Sequence, residues 1–255
     1  MFATLSTKIN SFRATRVGQN SRYRKATADV PAGLFPYWKR TAQLEFKGIP
    51  QDAFFFASAT EGLLTFFDCV RISGKPCALP SAAADSVWHA WARLAPKSLD
   101  AFCIKHFGKV IPHVEAEAMG AQMEGALATC LVTARGLEGR NPVRASVPDL
   151  FALDRKLRMP GGYGYQLDKG EVAFRRLDLH GAPEGEMHHP HGLIAAQLLA
   201  TGLITQAAYD ASVKKAQAGG SACGSGCGSS GGDGGGGAAC GSCCGSGCGG
   251  GCGGS

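Results

Sequence analysis

The C-terminal stretch from Gly219 to Ser255 most constrains what this chain can fold into. It holds 19 glycines and seven cysteines among Ser and Ala, with Asp233 its one charged residue. Glycine loses more backbone entropy on ordering than any other residue. No aromatic or large aliphatic side chain is present there to offset that cost, so the stretch cannot fold by burying its own surface. Folding is confined to the preceding 218 residues, which carry 18 Gly and four Cys, a length that suits one hydrophobic core. Four cysteines are too few for a small disulfide-stapled scaffold. No run of 18 consecutive apolar residues marks a membrane span.

Charge divides the chain as well. Residues 1–48 carry nine Lys/Arg against Asp29 and Glu45, while residues 49–218 are balanced, so the net charge of +6 resides at the N-terminus. A basic groove along the body is absent, and nucleic acid is not an expected partner. The first 28 residues lack Asp and Glu and are rich in Ser, Thr, Arg and Lys. That composition fits a basic arm, an extension packed on the body, or an organellar transit segment. The expected location is the cytoplasm, with an organelle as the alternative. Three regions follow: a basic arm over 1–48, a helical domain over 49–218, and a disordered Gly/Cys-rich tail over 219–255.

Hydrophobic periodicity predicts a mainly α fold, a single helical domain with one small β-hairpin. Ile49 to Ile72 reads as a long buried helix through Phe54, Phe55, Phe56, Leu63, Leu64, Phe66, Phe67 and Val70. Ser81 suits an N-cap for a helix carrying Ala84, Val87, Trp88, Trp91 and Leu94. Ser98 is read as the cap of the next helix, which Gly108 closes. Glu115 to about Leu137 reads as one helix, and Pro148 to Leu157 as a short one. Tyr163–Leu167 and Glu171–Leu177, joined by Asp168-Lys169-Gly170, form the expected hairpin. Two short helices follow, the last capped by Thr205.

Polar residues suited to chemistry are densest between Asp85 and His113. Asp85 and His89 are four apart, hence one turn apart on one helix face. Cys103 and His113 flank Gly108, a turn that can fold the second back near the first. Carboxylate, imidazole and thiolate are the groups zinc takes, four to a tetrahedron. The spacing is loose, so two readings stand side by side: a metal site of Asp85, His89, Cys103 and His113, or a buried Cys103 acting as a small hydrophobe beside a core histidine bonded to Asp85. A second histidine group, His188-His189-Pro190-His191, reads mainly as a solvated loop. No nucleophile elbow, P-loop or HExxH motif occurs; Gly161-Gly162-Tyr163-Gly164 follows a helix and enters the hairpin, the wrong context for a phosphate loop.

The segment from about residue 50 to 115 resembles the glycine-rich domain-containing protein family. The residues carrying the resemblance are Pro80-Ser81, Asp85, Trp88-His89, Trp91, Phe102-Cys103, Gly108 and His113. Trp91 departs from it, standing where many members have His. The resemblance implies a helical domain in which these polar residues act together; it implies no reaction.

The tail cysteines are Cys223, Cys227, Cys240, Cys243, Cys244, Cys248 and Cys252. They are close enough in sequence to wrap a soft ion such as Zn²⁺ or Cu⁺, and a low-complexity linker is the competing reading. Three functional expectations follow: a helical binding domain with a thiol-rich, soft-metal-binding tail and a protein partner; a metal-dependent enzyme at Asp85/His89/Cys103/His113; or a carrier whose tail is the substrate of a modifying enzyme.

Overall fold

The computed structural model describes residues 2–114, 116–140 and 146–219. The Gly/Cys tail, with its seven cysteines and its expected disorder, lies outside the described residues. The fold is mainly α with a small antiparallel sheet.

The core is built around α4 (Ala53–Ser73). Asp52 starts it, its carboxylate accepting hydrogen bonds from the Phe54 and Phe55 amides. Gly74, at φ 61°, ends it in the left-handed region that favours glycine. Phe55, Ala59, Leu63, Leu64, Phe66 and Phe67 are buried along it. Gly62 lets its neighbours close in: a Cβ there would stand 2.3 Å from Leu153 Cδ2. By length and apolarity α4 could cross a membrane, yet more than half of its apolar stretch is buried within the protein. A count of consecutive apolar residues misses this, because Thr60, Glu61, Thr65 and Asp68 interrupt the run without breaking the helix.

The basic N-terminal segment packs on the body as helices α1 (Phe2–Asn20), α2 (Arg24–Ala28) and α3 (Leu34–Glu45). Of the readings of this segment, the packed extension is the one that describes α3. Leu34 and Trp38 are fully buried. The Trp38 ring stacks near Phe55 at 5.7 Å, and its Nε1 donates to Ser86 Oγ at 3.0 Å.

Helix α5 (Ala82–Leu94) begins at Ser81, as expected, with the Ser81 hydroxyl accepting from the Ala84 amide. A carboxylate from farther along the chain completes this start. Asp154, fully buried, accepts from Ser81 Oγ and from the amides of Ala82, Ala83 and Tyr163, all within 3.0 Å. It thereby ties α5 to the first strand. Helix α6 (Pro96–Phe107) is capped by Ala95, with Pro96 in the first turn, not by Ser98. Proline lacks the amide that the first turn leaves unbonded, so no side-chain cap is needed there. Gly108, at φ 78°, closes α6 as expected.

The single helix expected from Glu115 to Leu137 is divided. Described from Ala116, it comprises α7 (Ala116–Met119), a 3₁₀ turn (Gly120–Gln122) and α8 (Met123–Leu137). Gly120, at φ 48°, makes the break. Helix α9 is shorter than expected, Leu153–Leu157.

The expected hairpin forms, with Asp168 in the strand rather than the turn: β1 (Tyr163–Asp168) pairs with β2 (Glu171–Leu177), and Asp168 stands opposite Glu171. Lys169 and Gly170 both have positive φ, matching the twist of a two-residue hairpin turn. A third strand, β3 (Pro183–His188), joins β2, so the sheet has three strands rather than two. Helices α10 (Ala195–Ala200) and α11 (Gln206–Gly219) complete the described chain.

Candidate functional site: a histidine–carboxylate cluster beside a cleft

Helix α5 buries Ala84, Val87, Trp88 and Trp91 and turns Asp85 and His89 outward. His113 arrives from the segment after α6. Gly108 reverses the chain, and buried Ile111 anchors the returning strand of backbone. The three side chains meet. His113 Nε2 lies 2.9 Å from Asp85 Oδ1 and 3.2 Å from His89 Nε2, and His89 Nε2 lies 3.5 Å from Asp85 Oδ2. One ligand atom from each residue falls within 4.8 Å of the others. All three are partly exposed.

Two neighbours orient the imidazoles. Glu45, at the end of α3, places Oε2 2.9 Å from His89 Nδ1, and its other oxygen takes an ion pair from Arg93. Burial raises the Glu45 carboxyl, but the hydrogen bonds from Arg93 and His89 outweigh it and hold the group below the usual glutamate value. An ionised Glu45 accepts from Nδ1–H of His89 and turns the ring so that Nε2 faces His113 and Asp85. The His113 ring stands edge-on to Trp88, with centroids 4.5 Å apart.

Cys103 falls outside this cluster, a correction to the four-residue set. It lies on the buried face of α6, 1% exposed, where burial pushes its thiol up to about 11. Its place near the site in sequence was legible; the face it presents was not. Glu45 was missed outright, 44 residues away from His89.

Asp85, Trp88 and His113 form one part of the wall of a cleft of about 1070 Å³. Across it stand Tyr163, Phe174 and Arg176 from the sheet. The second histidine group does not converge. His188 stacks on Phe174 at 5.2 Å, and His189 pairs with Asp168 at 3.2 Å.

Such an arrangement suits a divalent ion. With metal–nitrogen bonds of about 2.0–2.1 Å, tetrahedral ligand atoms stand about 3.3 Å apart. The two Nε2 atoms, 3.2 Å apart, match that spacing; each imidazole lies near a different oxygen of Asp85, at 2.9 and 3.5 Å, and one ligand atom from each of the three residues falls within 4.8 Å of the others. Two imidazoles and one carboxylate could supply three protein ligands, which would leave a position for water or a ligand from the cleft.

No curated protein and no solved structure matches the chain. A family model described as UCP032817-like matches residues 55–183, which takes in Asp85, His89 and His113. This corrects the resemblance to glycine-rich domain-containing proteins, which nothing in the comparisons indicates. The matched family is uncharacterised and brings no activity with it. The match spans just over half of the 255 residues, and the chain belongs to the UCP032817-like family.

Proposed function

We propose that this helical domain binds one divalent transition-metal ion, zinc foremost, through Asp85, His89 and His113, and presents it to a ligand in the adjoining cleft. The observation that carries this reading is the 3.2 Å approach of the two Nε2 atoms, with the Asp85 carboxylate beside both. Glu45 supports it as the outer partner that metal-bound histidines usually have. When bound, the ion supplies Lewis acidity and an activated water. The chain's own part is to align the imidazoles and to shape the cleft with Trp88, Tyr163 and Phe174.

A metal-dependent enzyme and a metal-gated binding domain share this centre. The open ligand position and the size of the cleft favour chemistry on a bound small molecule. The tail thiols are a separate class of ligand, able to take Zn²⁺ or Cu⁺ on their own, and any assay must separate them from the helical site.

The test uses the full-length chain with the seven tail cysteines changed to Ser, loaded with zinc and dialysed. One zinc per chain is the expected result, lost in Asp85→Asn/His113→Ala. Zinc retention equal in both proteins would overturn the reading.

A further inference from the structure

The sheet side of the cleft carries a recognition surface that takes no part in the histidine cluster. In the β1–β2 pairing Tyr163 stands opposite Arg176, and Tyr165 opposite Phe174. Cross-strand partners and residues two apart share one face of a sheet, and all four line the cleft. Tyr163 and Phe174 meet edge to face, with centroids 5.5 Å apart. The Arg176 guanidinium lies over the Tyr163 ring, 4.4 Å from its centroid. Glu184 is the β3 partner of Arg176, yet no ion pair joins them. Among the described residues the Arg176 side chain makes neither an ion pair nor a hydrogen bond. The other charges of the wall are differently placed. Lys109 Nζ donates to the Val70 carbonyl at 3.1 Å, and Glu124 accepts from the Gly192 amide at 3.0 Å. Asp85 belongs to the histidine cluster, and Lys75 is an exposed side chain just past the end of α4.

We propose that the cleft takes a small aromatic carboxylic acid, with its ring against Tyr163 and Phe174 and its carboxylate paired with Arg176. This rests on reading the cleft as a ligand site, but not on the ion. Aromatic side chains favour a second ring, offset-stacked or edge-on. A guanidinium laid on a ring is pre-oriented, and its planar fork of N–H donors matches a carboxylate in two parallel bonds. One guanidinium balances the single charge of a carboxylate. A phosphate dianion would bring a second charge among the rings without a partner.

The experiment titrates the metal-free, full-length chain by calorimetry with three probes: cinnamate, cinnamamide and acetate. Cinnamate is expected to bind at one site. Cinnamamide, of the same shape without the charge, is expected to bind about 10- to 100-fold more weakly, and acetate, lacking the ring, not measurably. Arg176→Gln is expected to lower cinnamate affinity to that of cinnamamide and to leave cinnamamide unchanged, whereas Lys75→Gln alters neither. Absence of cinnamate binding, equal binding of cinnamate and cinnamamide, or loss of cinnamate in Lys75→Gln but not in Arg176→Gln would overturn the proposal. Tighter binding of phenyl phosphate than of cinnamate would overturn the choice of carboxylate. The comparison of probes on the wild-type chain decides even if a variant folds poorly. Zinc retention is measured apart on the same protein, so failure of the metal site and failure of the acid site are seen separately.

Discussion

His89 Nε2 and His113 Nε2 face each other at 3.2 Å, although 24 residues separate them in the chain. Two imidazole nitrogens at this distance share either a proton or a metal ion. The ionised Glu45 holds the proton of His89 on Nδ1, and the Asp85 carboxylate adds an anionic ligand beside both rings. That combination is the physical basis for reading the cluster as a cation site.

His113→Ala removes one proposed ligand and leaves the sequence of α5 unchanged. Zinc affinity is expected to fall by more than about 100-fold, beyond the 10–100-fold range of outer-partner losses, while the helical content stays unchanged. Calorimetric titration of the tail-Ser chain measures this, with circular dichroism as the folding control.

Glu45→Gln tests the outer partner. Zinc affinity is expected to drop about 10–100-fold with the ligands intact. The same residue sets a pH dependence. Its folded carboxyl lies below the ordinary value of 4.5, so its contribution to stability is complete above that value and is lost as pH falls through the lower folded one. Denaturation midpoints of wild type and Glu45→Gln are therefore expected to differ at neutral pH and to converge in acid.

Trp88→Ala is expected to cost more stability than His89→Ala. Trp88 is 3% exposed and packs between Phe66, Phe67 and His113. Truncating a buried aromatic costs about 3–5 kcal/mol, whereas His89 gives up partly exposed polar contacts. Urea unfolding of the metal-free variants reads the order directly, and the reverse order would show that the polar contacts of His89 hold the fold more than the packing of Trp88 does.

Asp154→Ala is expected to loosen the start of α5 and the entry to β1 together. Four donors lose their acceptor in a fully buried place, and each unmet donor costs about 1–3 kcal/mol. Amide exchange at Ala82, Ala83 and Tyr163 is expected to accelerate as a group. Faster exchange at one of them alone would show that the carboxylate does not couple the two elements.

The parts of this structure legible in the sequence are those set by local periodicity and turn chemistry. Asp85 and His89 share a face because a helix repeats every 3.6 residues, and Gly108 marked the reversal that returns His113. Cys103 lies near the site in sequence, but the apolar face of α6 claims it. Glu45 could not be found, since its contact depends on how α3 packs against α5. Strand β3 was hidden for another reason. Pro183–His188 is almost wholly exposed, so no alternation of apolar residues was selected there, and pairing with β2 alone makes it a strand. The break at Gly120 and the start of α6 at Pro96 were missed because a general apolar rhythm and a cap-like Ser98 outweighed single-residue backbone signals.

The most direct measurement is the zinc X-ray absorption fine structure of the full-length chain, carrying tail Cys→Ser changes and one equivalent of zinc. The account predicts a first shell of nitrogen and oxygen at about 2.0–2.1 Å, with the outer-shell scattering of two imidazoles, reduced to one in His113→Ala. A sulfur shell at about 2.3 Å, or a spectrum unchanged by His113→Ala, would contradict it.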